Sequence, residues 1–236
     1  MQAAPIPESS EEAIAWLRRR VPQTVQKIFE AEVPGKSFAD LGCMWDCHGA
    51  YVFYAEQVGA RAPLLAVDMG STTPTFDAVH RVLDSRVAFR QKNILEIDPA
   101  ADGRCEVVFC SGVLYHAPDP MRMLGAVASI TEDTLILTTH TIEGSEPTLR
   151  FYPYDSRPET YPWEVLAGGR DVRFGVEYPD EAPWWFGPTE ICVENMLRTV
   201  GFQVVDVQRT TLNQVLHDPR NPQISIFTAR RLASPQ

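Results

Sequence analysis

The sequence predicts an α/β fold: a Rossmann-like sheet of seven strands, mostly parallel, closed by an antiparallel terminal hairpin and carrying an aromatic-rich insertion after strand five. Three observations predict it. The stretch Phe38-Ala39-Asp40-Leu41-Gly42-Cys43, running through Gly49 to Leu64-Leu65-Ala66-Val67-Asp68, reads as strand, glycine-containing turn, helix, and a second strand ending on a carboxylate. Apolar strand-like runs then alternate with helical patterns as far as Thr139. Two β-like runs separated by turn residues close the chain.

The elements follow in order. Residues 1–8 read as frayed. Ser9 or Ser10 before Glu11-Glu12 caps a helix to Arg20, where apolar and charged residues recur at helical spacing. Pro22 opens a second helix to Glu32, and Pro34-Gly35 ends it. Strand one is Ser37 to Leu41, and the next helix runs from His48 to Val58, stopping at Gly59. Strand two is Pro63 to Asp68. A helix from Pro74 to Leu83 leads to strand three, Arg86 to Arg90. Strand four, Cys105 to Cys110, is a continuous apolar run suited to a strand covered on both faces. Pro120 to Ile130 is its crossover helix, and strand five is Thr134 to Thr139.

From Glu143 to Gly187 no clean period survives, and a loop that long inside a compact domain is often functional. A helix from Pro188 to Val200 ends at Gly201. Phe202 to Gln208 and Gln223 to Ala229, joined through the turn Asp218-Pro219-Arg220-Asn221-Pro222, form the hairpin at the sheet edge. The whole chain, 1–236, reads as one domain, with residues 1–35 as a helical cap and 143–187 as a lid.

An apolar fraction of 44% supplies an ordinary globular core. A net charge of −10 and a pI near 5.0 argue against a general nucleic-acid or anionic-membrane binder. The five cysteines, 43, 47, 105, 110 and 192, are odd in number, and several fall in core strands, as reduced thiols of a cytoplasmic protein would. No apolar run approaches the ~18 residues of a membrane span, and no signal-peptide core opens the chain.

A strand-turn-helix leaves free N–H groups at the helix start, where a carboxylate-bearing ligand can dock. An acid closing the next strand can accept both hydroxyls of a ribose. Asp40, Gly42 and Asp68 thus lay out an adenosine-binding site.

With these residues in view, the chain resembles the class I S-adenosylmethionine-dependent methyltransferases, and within them the branch of tRNA wobble-uridine carboxymethyl-transferring enzymes. The resemblance rests on Asp40-Leu41-Gly42-Cys43, the Trp45-Asp46 pair, Gly59-Ala60, and Gly112-Val113-Leu114-Tyr115-His116 followed by Asp119-Pro120. Trp184-Trp185-Phe186-Gly187-Pro188-Thr189 and Val200-Gly201-Phe202 extend it over roughly residues 36 to 210. It implies S-adenosylmethionine as cofactor, held by Asp40, Gly42, Cys43, Trp45, Gly49, Asp68, Met69, Asn93, Ile94 and Ser111. One departure stands out. Family members place a second glycine soon after the first, whereas here Met44 and Cys47-His48 lengthen the turn until Gly49. Glycine supplies positive φ and lets backbone approach a ligand, so the longer loop must solve this otherwise. The long N-terminal region typical of the tRNA-modifying members is also missing, which with the acidic balance points to a small-molecule acceptor.

Bland readings compete with these assignments. Asp68 also suits a helix or turn cap. Asn93 suits a turn as well as an adenine edge, with Ile94 packing on the ring face. His116 after strand four and His140 at the end of strand five are candidate catalytic bases, imidazole being the natural proton acceptor near neutral pH. His116 equally suits a hydrogen bond that orients its loop, and Tyr115 suits either a catalytic contact or packing. Cys43, Cys47 and His48 have metal-ligand chemistry, but no second cluster completes a site, so no metal is expected. The absence of an Asp/Asn-Pro-Pro-aromatic run after strand four favours oxygen, or a simple amine, as the methylated atom.

Residues 143–187 hold ten aromatics, and acidic residues outnumber arginines nine to four. That composition suits a lid over an apolar, aromatic or cationic acceptor, with Tyr152, Trp163, Trp184 and Trp185 as substrate contacts. A satellite core or a homodimer contact is the competing reading. The expected activity is methyl transfer from S-adenosylmethionine to a small-molecule hydroxyl. A tRNA wobble-uridine modifier and a repurposed fold without methyl transfer are the rivals. A dinucleotide oxidoreductase is remote, since no Gly-x-Gly-x-x-Gly follows strand one.

Overall fold

The computed structural model describes residues 6–151, 186–211 and 223–233. Helix α1 (Ser10–Arg20) starts where the Ser9 hydroxyl accepts from the Glu12 N–H, and its acidic first turn and basic last turn both complement the helix dipole. Ala13, Trp16 and Leu17 form its buried face. Helix α2 (Gln23–Glu32) follows Pro22 and buries Val25, Ile28 and Phe29. Then come β1 (Ser37–Leu41), α3 (Ala50–Gln57), β2 (Arg61–Asp68), α4 (Pro74–Val82), β3 (Ala88–Gln91), α5 (Pro99–Asp102), β4 (Cys105–Ser111), α6 (Pro120–Ile130) and β5 (Thr131–Thr141). The short strands β6 (Leu149–Phe151) and β7 (Phe186–Pro188), helix α7 (Glu190–Thr199), β8 (Phe202–Thr211) and β9 (Gln223–Arg231) complete the described chain.

Seven strands make one sheet in the order β3-β2-β1-β4-β5-β9-β8. The first five are parallel; β9 runs antiparallel to β5, and β8 antiparallel to β9. The chain leaves β1 in one direction and returns past it to β4. Open sheets bind ligands outside the strand carboxyl ends at such a reversal. Period-two alternation gives each face its own core. Phe38, Val107, Phe109 and Ile136 pack under α1 to α4, while Ala39, Leu41, Val108, Cys110 and Leu137 pack under α6 and α7. Phe29 meets Phe38 at 5.1 Å and Phe109 at 5.0 Å between ring centres, tying α2 to β1 and β4. Each such buried ring contributes about 2–3 kcal/mol.

Several boundaries differ from the sequence reading: β2 begins at Arg61 instead of Pro63, β4 ends at Ser111, and β8 and β9 run on to Thr211 and Arg231. Helix α3 begins at Ala50 instead of His48, because Gly49 sits at φ 73, outside helical space. Strand β3 begins at Ala88 instead of Arg86. Strand β5 extends past both expected ends, and β9 pairs with it from Thr134 to Thr141. Helix α7 starts at Glu190 behind a Thr189 cap instead of at Pro188. The stretch expected to lack regular structure has its two described ends joined as the antiparallel pair β6-β7, whose three-residue strands are too short to show alternation. Among the described residues, no helix is long and apolar enough to cross a membrane.

Candidate functional site

The site is built at the carboxyl end of β1. Asp40 pairs in register with Ala66 and Phe109 and is 0% exposed. Neither of its carboxylate oxygens has a hydrogen-bond partner among the described residues. Burial pushes its pKa up to about 8, and the charge of Asp68 adds to the rise. The Val52 N–H, in the first turn of α3, draws the value back without meeting hydrogen-bond geometry. An unpaired buried carboxylate is costly unless something else supplies a donor or a positive charge.

Residues 42–49 form the turn above it. The Gly42 N–H donates to the Val67 carbonyl at 2.8 Å, Met44 N–H to Asp68 Oδ2 at 2.8 Å, and Gly49 N–H to the Cys43 carbonyl at 2.7 Å. Both bounding glycines are required. Gly42 has φ 81 and a Cβ there would lie 2.3 Å from Val113 Cγ2; Gly49 has φ 73 and a Cβ would lie 2.4 Å from the Phe76 ring. Asp46 (φ 52) and His48 (φ 49) also take left-handed backbone, a conformation L-residues adopt only with support. Two tethers supply it. Arg20 Nη2 lies 2.5 Å from Asp46 Oδ2, and the same guanidinium donates to the Asp46 carbonyl. His48 Nδ1 and Thr73 Oγ1 share a 3.0 Å hydrogen bond.

Asp68, at the end of β2, accepts from Met44 N–H through Oδ2 and from Gly70 N–H through Oδ1, each at 2.8 Å. Each oxygen keeps a lone pair, enough for a pair of ligand hydroxyls. Asn93 Oδ1 accepts from the Leu95 N–H at 2.9 Å, so a ligand would meet its NH2 as donor; Ile94 beside it is buried. Met69 and Trp45 are exposed apolar side chains. Cys43 is buried in the core with its thiol pKa raised by desolvation, so only its backbone is available. Ser111 Oγ pairs with Thr138 Oγ1 at 2.7 Å.

The three residues read as catalytic come together. Tyr115 is buried, with ring centres 4.4 Å from His116 and 6.4 Å, edge-on, from His140. Burial lowers the His140 pKa to about 4, against a smaller upward pull from the Gln223 backbone, so its imidazole is neutral at physiological pH. Beside it, Thr141 Oγ1 meets Ser225 Oγ at 2.8 Å, and Ser225 donates to Glu190 Oε1 at 2.7 Å, locking the end of β5 to β9 and α7. Tyr152, Trp163, Trp184 and Trp185 lie outside the described residues. Among the described residues, no three His, Cys, Asp or Glu side chains are placed to hold a metal ion, Cys43, Cys47 and His48 included.

Sequence reasoning missed Arg20, Thr73 and Val113. Each is far along the chain from the group it serves, and only the α1 periodicity, which brings Arg20 to a helix end, hinted at any of them.

Residues 39–133 match a family model for the methyltransferase domain. A tRNA U34 carboxymethyltransferase of Sulfurimonas denitrificans is 31% identical over 111 residues, 46% of this chain and 36% of that protein. A ubiquinone biosynthesis O-methyltransferase of Hahella chejuensis is 28% identical over 123 residues, 51% of this chain and 49% of that protein. The chain thus spans 36% and 49% of the length of these relatives. The Burkholderia thailandensis 1,6-didemethyltoxoflavin-N1-methyltransferase, solved with 1,6-didemethyltoxoflavin and S-adenosylhomocysteine, matches with a TM-score of 0.63 at 18% identity, covering 98% of this chain and 93% of that one. The chain thus has the fold of S-adenosylmethionine-dependent methyltransferases, matches the methyltransferase-domain model over residues 39–133, and is distantly similar to tRNA U34 carboxymethyltransferases.

Proposed function

We propose that this protein is an S-adenosylmethionine-dependent methyltransferase acting on a hydroxyl oxygen of a small-molecule acceptor. The observation that carries the cofactor is Asp40, a fully buried carboxylate with no donor among the described residues, lying beneath the turn before α3. A ligand bearing an ammonium group satisfies it, directly or through one water. Asp68 fits a ribose diol through its two remaining lone pairs, and Asn93 with Ile94 fits an adenine edge and face. S-adenosylmethionine supplies an already activated sulfonium methyl group. The chain's own task is then to orient the acceptor, an effect worth up to about 7–11 kcal/mol in well-placed systems.

Tyr115, His116 and His140 are the groups proposed for that task. A neutral His140 can accept a hydrogen bond from the acceptor hydroxyl and align it. An imidazole with a pKa near 4 is a weak base, so a phenolic or enolic hydroxyl, which parts with its proton readily, suits it best. We read 143–187 as a lid. Its ends are clamped beside β5, where Ile142 N–H donates to the Pro188 carbonyl and Thr189 N–H to the Thr148 carbonyl, both at 2.9 Å. The small-molecule reading draws on the charge of −10 and the acidic excess of 143–187. It also draws on the small-molecule activities of the Hahella and Burkholderia proteins. The Sulfurimonas relative favours tRNA as the second reading.

Calorimetry with S-adenosylmethionine and S-adenosylhomocysteine tests the first step, and no binding of either removes the proposal. Turnover assays over phenolic and enolic acceptors, reading S-adenosylhomocysteine release, test the second. Cofactor binding with no release over any acceptor or tRNA supports a repurposed fold. Affinity for tRNA that weakens steeply with salt supports the tRNA reading.

A further inference from the structure

We propose that Arg20 is a positioning residue for the cofactor: delivered by the end of α1, its guanidinium clamps Asp46 and holds residues 42–49 in the shape that receives the ligand. This rests on reading that turn as the cofactor loop. The turn is longer than a glycine-rich one needs to be, and it places two non-glycine residues, Asp46 at φ 52 and His48 at φ 49, in left-handed backbone. Each costs roughly 1 kcal/mol, so contacts from outside the turn must hold it. Arg20 touches Asp46 twice, at the carboxylate (2.5 Å) and at the main-chain carbonyl, and so fixes side chain and backbone together. Both partners are two-thirds or more shielded, at 33% and 26% exposure, which keeps solvent screening moderate.

The platform beneath Arg20 is firm. Ala13, Trp16 and Leu17 bury α1 in the core, and α1 packs on α3 and α4. The positive charge of Arg20 also reaches Cys47, His48 and Tyr51, which places it over the turn and the first turn of α3. Elsewhere the turn is tied by the His48–Thr73 hydrogen bond and by the Met44 N–H bond to Asp68, neither of which reaches Asp46. Without Arg20 the free turn would sample other shapes, and apparent affinity would fall in proportion to the competent fraction.

The test is titration calorimetry with S-adenosylhomocysteine on the wild type, Arg20→Met, Arg20→Lys, Asp46→Asn and the double variant Arg20→Met/Asp46→Asn. Asn tolerates left-handed backbone as Asp does, so Asp46→Asn removes charge without adding strain. Arg20→Met and Asp46→Asn are each expected to weaken binding roughly ten-fold. Arg20→Lys should lie between, and the double variant should be no weaker than either single one. Acrylamide quenching of Trp45, taken as the difference from matched Trp45→Phe proteins, should rise in both single variants without ligand. If Arg20→Met does not fold, Asp46→Asn carries the comparison. Wild-type affinity in the single variants, or strictly additive losses in the double, overturns the clamp and leaves the cofactor reading intact. A wild type that binds no S-adenosylhomocysteine removes both.

Discussion

Replacing Asp40 with Asn is expected to stabilise the ligand-free protein increasingly as pH rises. The folded pKa of Asp40 is about 8 against an ordinary 3.8. A raised carboxyl pKa means the folded state holds a proton that the unfolded state has lost. Its contribution to stability is therefore greatest below 3.8, falls as pH rises, and levels off above 8. The slope is about 1.4 kcal/mol per pH unit. Between pH 6 and 8, allowing for curvature near the folded pKa, the wild type should lose about 2 kcal/mol that Asn, which does not titrate, keeps. For a chain of this size that is a gain of roughly 4–8 °C in the Tm difference. The interval also avoids the pI near 5.0, where solubility is poorest. Calorimetric melts at pH 6, 7 and 8 without ligand read it directly. A Tm difference that stays constant across the interval would refute the picture of a buried, unpaired carboxyl.

The same proton should appear in binding. If a cationic ligand pairs with ionised Asp40, affinity for S-adenosylhomocysteine should rise by up to about ten-fold per pH unit from 6 to 8, with proton release seen by calorimetry in two buffers and a flat profile in Asp40→Asn. Gly42→Ala should cost about 2–3 kcal/mol in urea unfolding through overlap with Val113, while Gly42→Ala/Val113→Ala should retain only the left-handed cost of roughly 1 kcal/mol; equal losses would place the clash elsewhere. His140→Asn should lower kcat without changing the shape of its pH profile between 6 and 8, because His140 is already neutral there. A wild-type limb near pH 6.5 that vanishes in the variant would count against that.

Much of this was legible because the strongest signals are local. Strands β1, β2 and β4 are apolar runs of the right length, and Asp40 and Asp68 stand at their carboxyl ends, where the topology makes them neighbours. Asn93 was legible both as an adenine contact and as a turn former, and its Oδ1 does cap the Leu95 N–H; the sequence alone did not say which of the amide's two ends that leaves for a ligand. His140 was legible as a strand-end imidazole. Its depressed pKa was not, since that follows from burial in the folded sheet, which outweighs the upward pull of the Gln223 backbone more than 80 residues away. Arg20 was legible only as the end of α1, because an arginine ending an amphipathic helix looks the same whether it meets water or Asp46.

The lengthened turn, where the chain departs from the glycine pattern of the methyltransferases it resembles, fits as an added device and not as damage. A short glycine turn would need no outside support, whereas this one relies on Arg20 and Thr73 to hold left-handed Asp46 and His48. What stands between its anchored points is Trp45. Its predecessor, Met44, is pinned to Asp68 through the backbone N–H, its successor, Asp46, is pinned to Arg20, and its own carbonyl accepts from the Cys47 N–H. The indole is nonetheless 48% exposed. An aromatic side chain carried on fixed backbone has little further entropy to lose on stacking against a planar partner, which makes it the most favourable exposed apolar surface on the turn for a ligand to use.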